Sequence, residues 1–177
     1  MRRLIPYLLT LATVVALDQG TKAVVVRSME LHEHLPLVDG LISLSHVQNR
    51  GAAFGLLSDA ELPNQSLLLA ALSLGALLAI AVYFVRLPPS AWLPRLALAL
   101  VLGGAVGNLI DRIRHGYVVD FIHVYWREHQ WPDFNLADSA ITVGVALLIL
   151  DILLSPRAEA PAGPGIDAAT PTAGRID

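Results

Sequence analysis

Four long apolar segments constrain this chain most, because a helix of about 20 apolar residues crosses the hydrocarbon core of a bilayer. The segments lie at residues 4–26, 66–85, 93–113 and 136–154. Only 15% of the residues are charged, whereas soluble domains carry about 25%. Within lipid, each segment has to satisfy its own backbone hydrogen bonds and is therefore predicted to be helical. The sequence predicts an all-α membrane protein, a four-transmembrane-helix bundle over residues 1–156.

The composition excludes several classes of site and partner. The chain has no cysteine, which excludes disulfides, zinc–thiolate sites and cysteine nucleophiles. A formal net charge of −3 provides no attraction for nucleic acid, so no nucleic-acid partner is expected. Residues 157–177 are rich in Pro, Ala and Gly and cannot build a core, so they are predicted to form a disordered cytoplasmic tail.

The first apolar segment has an alternative interpretation. The stretch "MRRLIPYLLTLATVVA" has a basic start, an apolar centre and a small residue, Ala16, where a signal peptide would be cleaved. The chain that follows is itself typical of a membrane protein and not of a cysteine-rich secreted domain. This favours a first helix that is retained as an anchor.

The basic residues predict the orientation of the bundle. With the N-terminus inside, Lys and Arg are equally divided between the two sides, so position decides, because the rule applies near helix ends and in short loops. Basic residues at such positions are Arg2, Arg3, Arg86, Arg95 and Arg157. Both termini are therefore predicted to be cytoplasmic, which places the two long loops outside.

In this orientation most polar residues of the apolar segments converge near the outer face. Helices one and three run outward, helix four runs inward, and the outer loops begin and end at the same level. We interpret this convergence as a functional site. Its candidate members are Asp18, Lys22, Asn49, Gly51, Asn108, Asp111, Arg112, Asp120, Asn135 and Asp138.

The local patterns around these residues also have structural explanations. Asp18 and Lys22 lie four residues apart on one helix face, which suits either an intrahelical ion pair or a direct role in a site. The glycines in "GGAVGNLIDR" offer a small-residue surface for helix packing, while its Asn, Asp and Arg share a face that suits a hydrogen-bonded network. Residues 41–47 alternate roughly between apolar and polar, which predicts a strand at the membrane surface.

Two aspartates beside apolar segments carry the strongest chemical signal. Asp138 by itself resembles the third helical residue of a capping box that begins at Asn135, and Asp120 by itself resembles surface charge on a strand. Together, two carboxylates on an apolar surface are expected to share one proton. Such a pair can take a proton from water and donate one to a carbonyl oxygen, as in aspartic proteases. This chemistry requires neither a metal nor a cofactor, and none is expected.

Histidines are the alternative source of chemistry. All six lie in the predicted outer loops, where they are interpreted as interfacial polar residues and not as metal ligands, since no H-E-x-x-H motif is present. They are His32, His34, His46, His115, His123 and His129.

Five blocks in one order closely resemble the bacterial lipoprotein signal peptidase family, also called signal peptidase II. They are "DQGTK", "NRGAAFG", "GGAVGNLIDR", "VVDFI" and "FNLADSAI", and they span residues 18–141. The resemblance implies that Asp120 and Asp138 are catalytic and that the other candidates line or support the site. It also implies a small extracytoplasmic β-cradle built from the outer loops.

The same resemblance implies an activity, a substrate and a location. Members of the family are membrane endopeptidases that remove the signal peptide from a diacylglyceryl-modified prolipoprotein, cleaving before the lipidated cysteine in the plasma membrane. A monomer in contact with membrane lipid is expected. Two other classes remain as alternatives: a small proton-coupled transporter, whose site would lie near the bilayer midplane, and a non-catalytic assembly factor, which would leave the aspartate pair unexplained.

Overall fold

The computed structural model describes residues 4–51 and 65–154, and this part of the chain forms four helices and a four-stranded antiparallel sheet. The tail predicted at residues 157–177 lies outside the described residues, as do residues 52–55 of the "NRGAAFG" block. In chain order the elements are α1 (Ile5–Ser28), β1 (His34–Val38), β2 (Ile42–Asn49), α2 (Gln65–Arg86), α3 (Trp92–His115), β3 (Val118–Trp126), β4 (His129–Gln130) and α4 (Leu136–Leu154).

All four helices are long and apolar enough to cross a membrane, which confirms the predicted segments. Helix α1 continues unbroken past Ala16 and buries Asp18, Lys22 and Val25, so it belongs to the bundle. Helix α3 runs two residues beyond the predicted end. Its C-cap is Gly116, whose φ of 77° is a left-handed conformation that glycine adopts without steric cost.

Helix α3 is the central helix of the bundle and packs against each of the other three. Its glycines allow this, as the small-residue pattern predicts. Gly103 faces Val14 of α1, and Gly104 lies against the backbone carbonyl of Ala137 in α4. Gly144 of α4 in turn faces the carbonyl of Ala97, so α3 and α4 approach each other backbone to backbone. The exposed apolar side chains of α2 and α4 are suited to contact with lipid.

The sheet packs against one end of the helix bundle. Its strand order is β1-β2-β3-β4, and β2 and β3 confirm the predicted strand at residues 41–47 and the strand-like stretch around Asp120. An irregularity in register between Leu44 and Val47 brings Val47 opposite Asp120. A cluster of Val25, Met29, Val119 and Phe121 attaches β3 to the end of α1. Asp120 is thereby held next to the helices.

The close approach of α3 and α4 predicts that Gly104→Ala destabilises the protein. An added Cβ would collide with the carbonyl of Ala137 and lie 2.8 Å from Cγ1 of Ile141. Since overpacking typically costs about 1–3 kcal/mol, we expect a lower melting temperature in detergent.

Gly20→Ala in α1 is the matched control for this change. It places a methyl group where nothing lies within 4 Å, and alanine is the better helix former by about 1 kcal/mol. We therefore expect an unchanged or higher melting temperature. Equal effects of the two substitutions would contradict the packing described for α3 and α4.

Candidate active site

Asn135, which precedes α4, contacts both candidate catalytic carboxylates and is fully buried. Its backbone N–H donates to Oδ2 of Asp138 at 3.3 Å, and its Oδ1 accepts from the N–H of Asp138 at 3.0 Å. This reciprocal pair is a capping box, as the sequence predicts. The Asn135 Nδ2 also donates to Oδ1 of Asp120 at 2.7 Å. One side chain therefore caps α4 and joins the two aspartates.

The remaining oxygens of the two carboxylates accept hydrogen bonds from two further asparagines. Asn49 donates through Nδ2 to Oδ2 of Asp120 at 2.9 Å, and Asn108 donates through Nδ2 to Oδ1 of Asp138 at 2.8 Å. All four oxygens thus have a neutral N–H donor. Because a carboxylate oxygen can accept a second hydrogen bond, each retains capacity for water or a peptide group.

The environment of Asp120 favours its protonated form. The residue is 2% exposed, and this burial raises its pKa to about 7. The hydrogen bond from Asn49 opposes the increase, the negative charge of Asp138 adds to it, and the hydrogen bond from Asn135 opposes it again. Burial is the largest of these causes. At neutral pH the pair therefore holds a proton for a substantial fraction of the time.

Both carboxylates border a cavity of about 430 Å³. Its polar end is formed by the aspartates together with Asn49, Asn108 and Arg112. Apart from Ser73, its other walls are apolar and come mainly from α2, α3 and α4. They include Leu69, Leu72, Ala76, Leu77, Ile80, Val101, Ala105 and Ile141. The cavity thus offers a long apolar surface that ends at two carboxylates.

Lys22 is buried beneath this site and uses all three of its N–H donors. Its Nζ lies 2.9 Å from Oδ2 of Asp18 and 2.9 Å from Oδ2 of Asp111, and donates to Oδ1 of Asn108 at 3.0 Å. The predicted intrahelical ion pair is present and extends from α1 to α3. Asn108 carries the connection onward to Asp138.

The carboxylates paired with Lys22 also position the backbone next to the candidate catalytic residues. Asp18 Oδ1 accepts the N–H of Ala137 in the first turn of α4 at 3.0 Å, where a negative charge suits the helix dipole. Asp111 Oδ2 accepts the N–H of Val119, beside Asp120, at 3.2 Å. The buried charges therefore brace both elements that carry the site.

The last two predicted residues meet at the end of β2. Gly51 donates its N–H to Oδ1 of Asn49 at 2.8 Å, and its carbonyl accepts from Arg112 at 3.2 Å. Arg112 thus contacts the loop after β2, while Asp111 pairs with Lys22. With this contact, the structure brings together all of the site residues predicted from the sequence.

Other residues support the site without having been predicted. Gln19 donates to Oδ1 of Asp111 at 2.8 Å and to the carbonyl of Gly107 at 3.2 Å. Asp133 accepts the hydroxyl of Ser45 and lies 3.4 Å from Nδ1 of His123, which ties the segment before α4 to the sheet. Gln19 could have been identified as a polar residue within a membrane helix. In residues 4–51 and 65–154 no group of three His, Cys, Asp or Glu side chains is arranged to hold a metal ion.

Comparisons with known sequences agree on one family. A family model described as signal peptidase (SPase) II matches residues 10–154. A lipoprotein signal peptidase of Geobacter sulfurreducens is 48% identical over 145 residues, covering 82% of this chain and 89% of the relative. One of Symbiobacterium thermophilum is 46% identical over 144 residues, covering 81% and 91%. A bacterial membrane enzyme solved by the in meso method at 2.3 Å resolution matches with a TM-score of 0.77 and 29% identity, covering 89% of this chain and 94% of the other.

The buried ion pairs predict that Lys22→Ala lowers stability. The change leaves Asp18 and Asp111 without their cation, and removing one partner of a buried pair costs about 3–5 kcal/mol. We expect a large fall in melting temperature in detergent. Arg27→Ala, at an exposed position of the same helix, is the control and should be nearly neutral. Equal melting temperatures for the two variants would show that the network does not brace the bundle.

Proposed function

Because the chain belongs to the signal peptidase II family, we propose that it is an aspartic endopeptidase that cleaves diacylglyceryl-modified prolipoproteins before the lipidated cysteine. That it is a multi-pass membrane peptidase acting on prolipoproteins follows from the family and the four helices. The aspartic mechanism is supported by one observation above all. Asp120 and Asp138 border one cavity, are joined by Asn135, and are held by neutral donors.

The reaction begins with a water molecule between the two carboxyl groups. Ionised Asp138 accepts a proton from the water, while Asp120 donates its proton to the oxygen of the scissile carbonyl. The resulting hydroxide attacks the carbonyl carbon and forms a tetrahedral intermediate. When the C–N bond breaks, the amine leaves with the proton from Asp138, and Asp120 recovers the proton of the hydroxyl group. The pair is then ready for another turnover without a metal or a cofactor.

The other site residues have positioning roles in this proposal. Asn49, Asn108 and Asn135 orient the carboxylates and leave a lone pair on each oxygen for water or substrate. The buried charges, Asp18, Lys22 and Asp111, hold α1, α3 and α4 in register. Arg112, which lines the cavity, holds Gly51 close to the end of β2.

The membrane supplies much of the positioning of the substrate. A signal segment that shares the bilayer reaches the apolar wall of α2 by lateral diffusion, which converts a bimolecular encounter into a local one. We further propose that the enzyme is a monomer in the bacterial plasma membrane and that residues 1–156 form the peptidase domain. The positions of the basic residues near helix ends favour cytoplasmic termini, and with them a site near the outer face.

The alternative classes fit the described geometry less well. A proton-coupled transporter would need its ionisable groups near the midplane. Here Asp138 lies in the first turn of α4, and Asp111 lies near the end of α3. A non-catalytic assembly factor would have no use for two carboxylates aimed at one cavity. Cleavage of a lipidated prolipoprotein by the purified protein in vesicles separates the three classes.

The mechanism predicts that Asp120→Asn and Asp138→Asn abolish most of the activity. Asparagine is nearly as good as aspartate at a helix start, so loss of the Asp138 charge should cost only about 0.3–1 kcal/mol of stability. Loss of the general acid or base should lower kcat by about 10²–10⁴-fold. The double variant should be hardly slower than either single variant, because the two groups act as a unit.

The measurement for these variants is kcat alongside melting temperature in vesicles with lipidated substrate. Asp39→Asn, in the exposed turn between β1 and β2, is the matched control and should cleave normally. Near-normal cleavage by Asp138→Asn would reduce that residue to a helix cap and exclude the aspartic mechanism.

The proposed roles also predict a dependence on pH. The active pair holds one proton, so kcat/KM should fall as pH rises through about 7, where Asp120 loses its proton. Asn49 stabilises the ionised form of Asp120 and so lowers its pKa. Removing this donor in Asn49→Ala should therefore shift the alkaline limb to higher pH.

Profiles of kcat/KM from about pH 5 to about pH 9 test this shift. Gln48→Ala, at the neighbouring position of β2, is the control and should leave the limb in place. A limb that stays in place or shifts to lower pH in Asn49→Ala would show that Asp120 does not carry the proton.

A further inference from the structure

A second cavity, of about 370 Å³, borders Asp138 from another face of α4. Successive residues of a helix are rotated by about 100°, so Ile141, in the larger cavity, and Thr142, in this one, lie on different faces. Asp138 lines both cavities and stands at the boundary between them. We call the smaller cavity the lipid-side cleft, which is lined by Trp131, Phe134, Asp138, Ser139, Thr142 and Val143.

The lipid-side cleft is apolar apart from Asp138. The hydroxyls of Ser139 and Thr142 donate to the carbonyls of Asn135 and Asp138, so they present mainly carbon to the cleft. Val143 is 51% exposed on a helix that is long and apolar enough to span the membrane. The end of the cleft at Val143 is therefore accessible to lipid. The cleft thus leads from lipid to the carboxylate of Asp138.

The charge of Asp138 determines which lipid groups the cleft can bind. Among the side chains that line it in the described part of the chain, Asp138 is the one ionisable group. An anionic headgroup or a free fatty-acid carboxylate would be repelled by it when it is ionised. An uncharged, ester-linked acyl chain would not be repelled and would gain from the burial of its methylenes.

An extended peptide bound in the site would contact both cavities. Side chains of adjacent residues in an extended chain point to opposite sides, so the residues flanking the scissile bond project away from each other. The larger cavity, walled mainly by α2 and α3, accommodates the apolar signal segment before the bond. The lipid-side cleft then lies on the side of the residue after the bond, which is the one that carries the lipid.

We propose that the lipid-side cleft binds the first methylenes of an acyl chain on the substrate's diacylglyceryl group. This rests on the proposed function, since that function supplies the lipidated residue. The lipid would thereby fix the register of the peptide, because seating the chain places the preceding carbonyl beside Asp138.

The test compares two peptide substrates that differ only in carrying dipalmitoyl or diacetyl glyceryl groups. Val143→Phe fills the cleft from an exposed position. One methylene in an apolar pocket is worth about tenfold or more, so we expect the ratio of kcat/KM for the dipalmitoyl over the diacetyl substrate to fall at least about tenfold. Val145→Phe is the matched control, since Val145 is 43% exposed on the same helix and outside the cleft. Its ratio should equal that of the unmodified protein.

The outcomes separate this inference from the proposed function. An unchanged ratio in Val143→Phe, with both substrates still cleaved, would overturn the cleft and leave the peptidase intact. If the unmodified protein cleaves neither substrate, the proposed peptidase function is overturned instead. A dipalmitoyl substrate with a photoreactive group near the ester provides a readout that does not depend on the variant's folding. Labelling of residues 139–143 supports the cleft, and labelling of residues 69–80 in α2 overturns it.

Discussion

The rest of the structure depends on the buried ion pairs of Lys22. Its single positive charge is buried between two aspartates, one on its own helix and one on α3. A cation in an apolar bundle is tolerable only when it is paired and fully hydrogen-bonded, and Lys22 meets both conditions. Lys22 favours ionisation of the neighbouring pair, whereas the burial of Asp120 disfavours it and is the larger effect on that residue. The buried pair can therefore retain a proton.

Asn135 connects these buried charges to the two candidate catalytic aspartates. The same side chain begins α4 and holds Asp120, so the start of a helix and the spacing of two carboxylates are set together. The donors around the aspartates are neutral amides, which orient the carboxylates without neutralising them. A lysine or arginine in the same place would favour full ionisation, and the pair would then hold no proton. Arg112, which borders the cavity, donates a hydrogen bond to the carbonyl of Gly51.

Much of this organisation was predictable because it follows from local patterns. The length and apolarity of the segments predicted the helices, and alternation predicted β2. Strand β1 contains Pro36, lies at the edge of the sheet and has no buried residue, and β4 has only two residues. The roles of Gln19 and Asp133 depend on partners far along the chain, which local patterns do not specify. The residues of α2 that line the cavity are the same types as those that face lipid, so composition cannot distinguish them.

The contact between Asp18 and the backbone of Ala137 joins residues 119 positions apart. Chains are synthesised from the N-terminus, so α1 enters the bilayer while α3 and α4 are still being translated. During that interval Asp18 and Lys22 have only each other, and the four-residue spacing within α1 is what neutralises both charges for insertion. When α4 is inserted, Asp18 keeps its ion pair with Lys22 and also accepts the N–H of Ala137 at the start of α4. The same ion pair thus neutralises α1 during insertion and later connects α1 to α4, and Asp120 and Asp138 come together only when the last helix has been inserted.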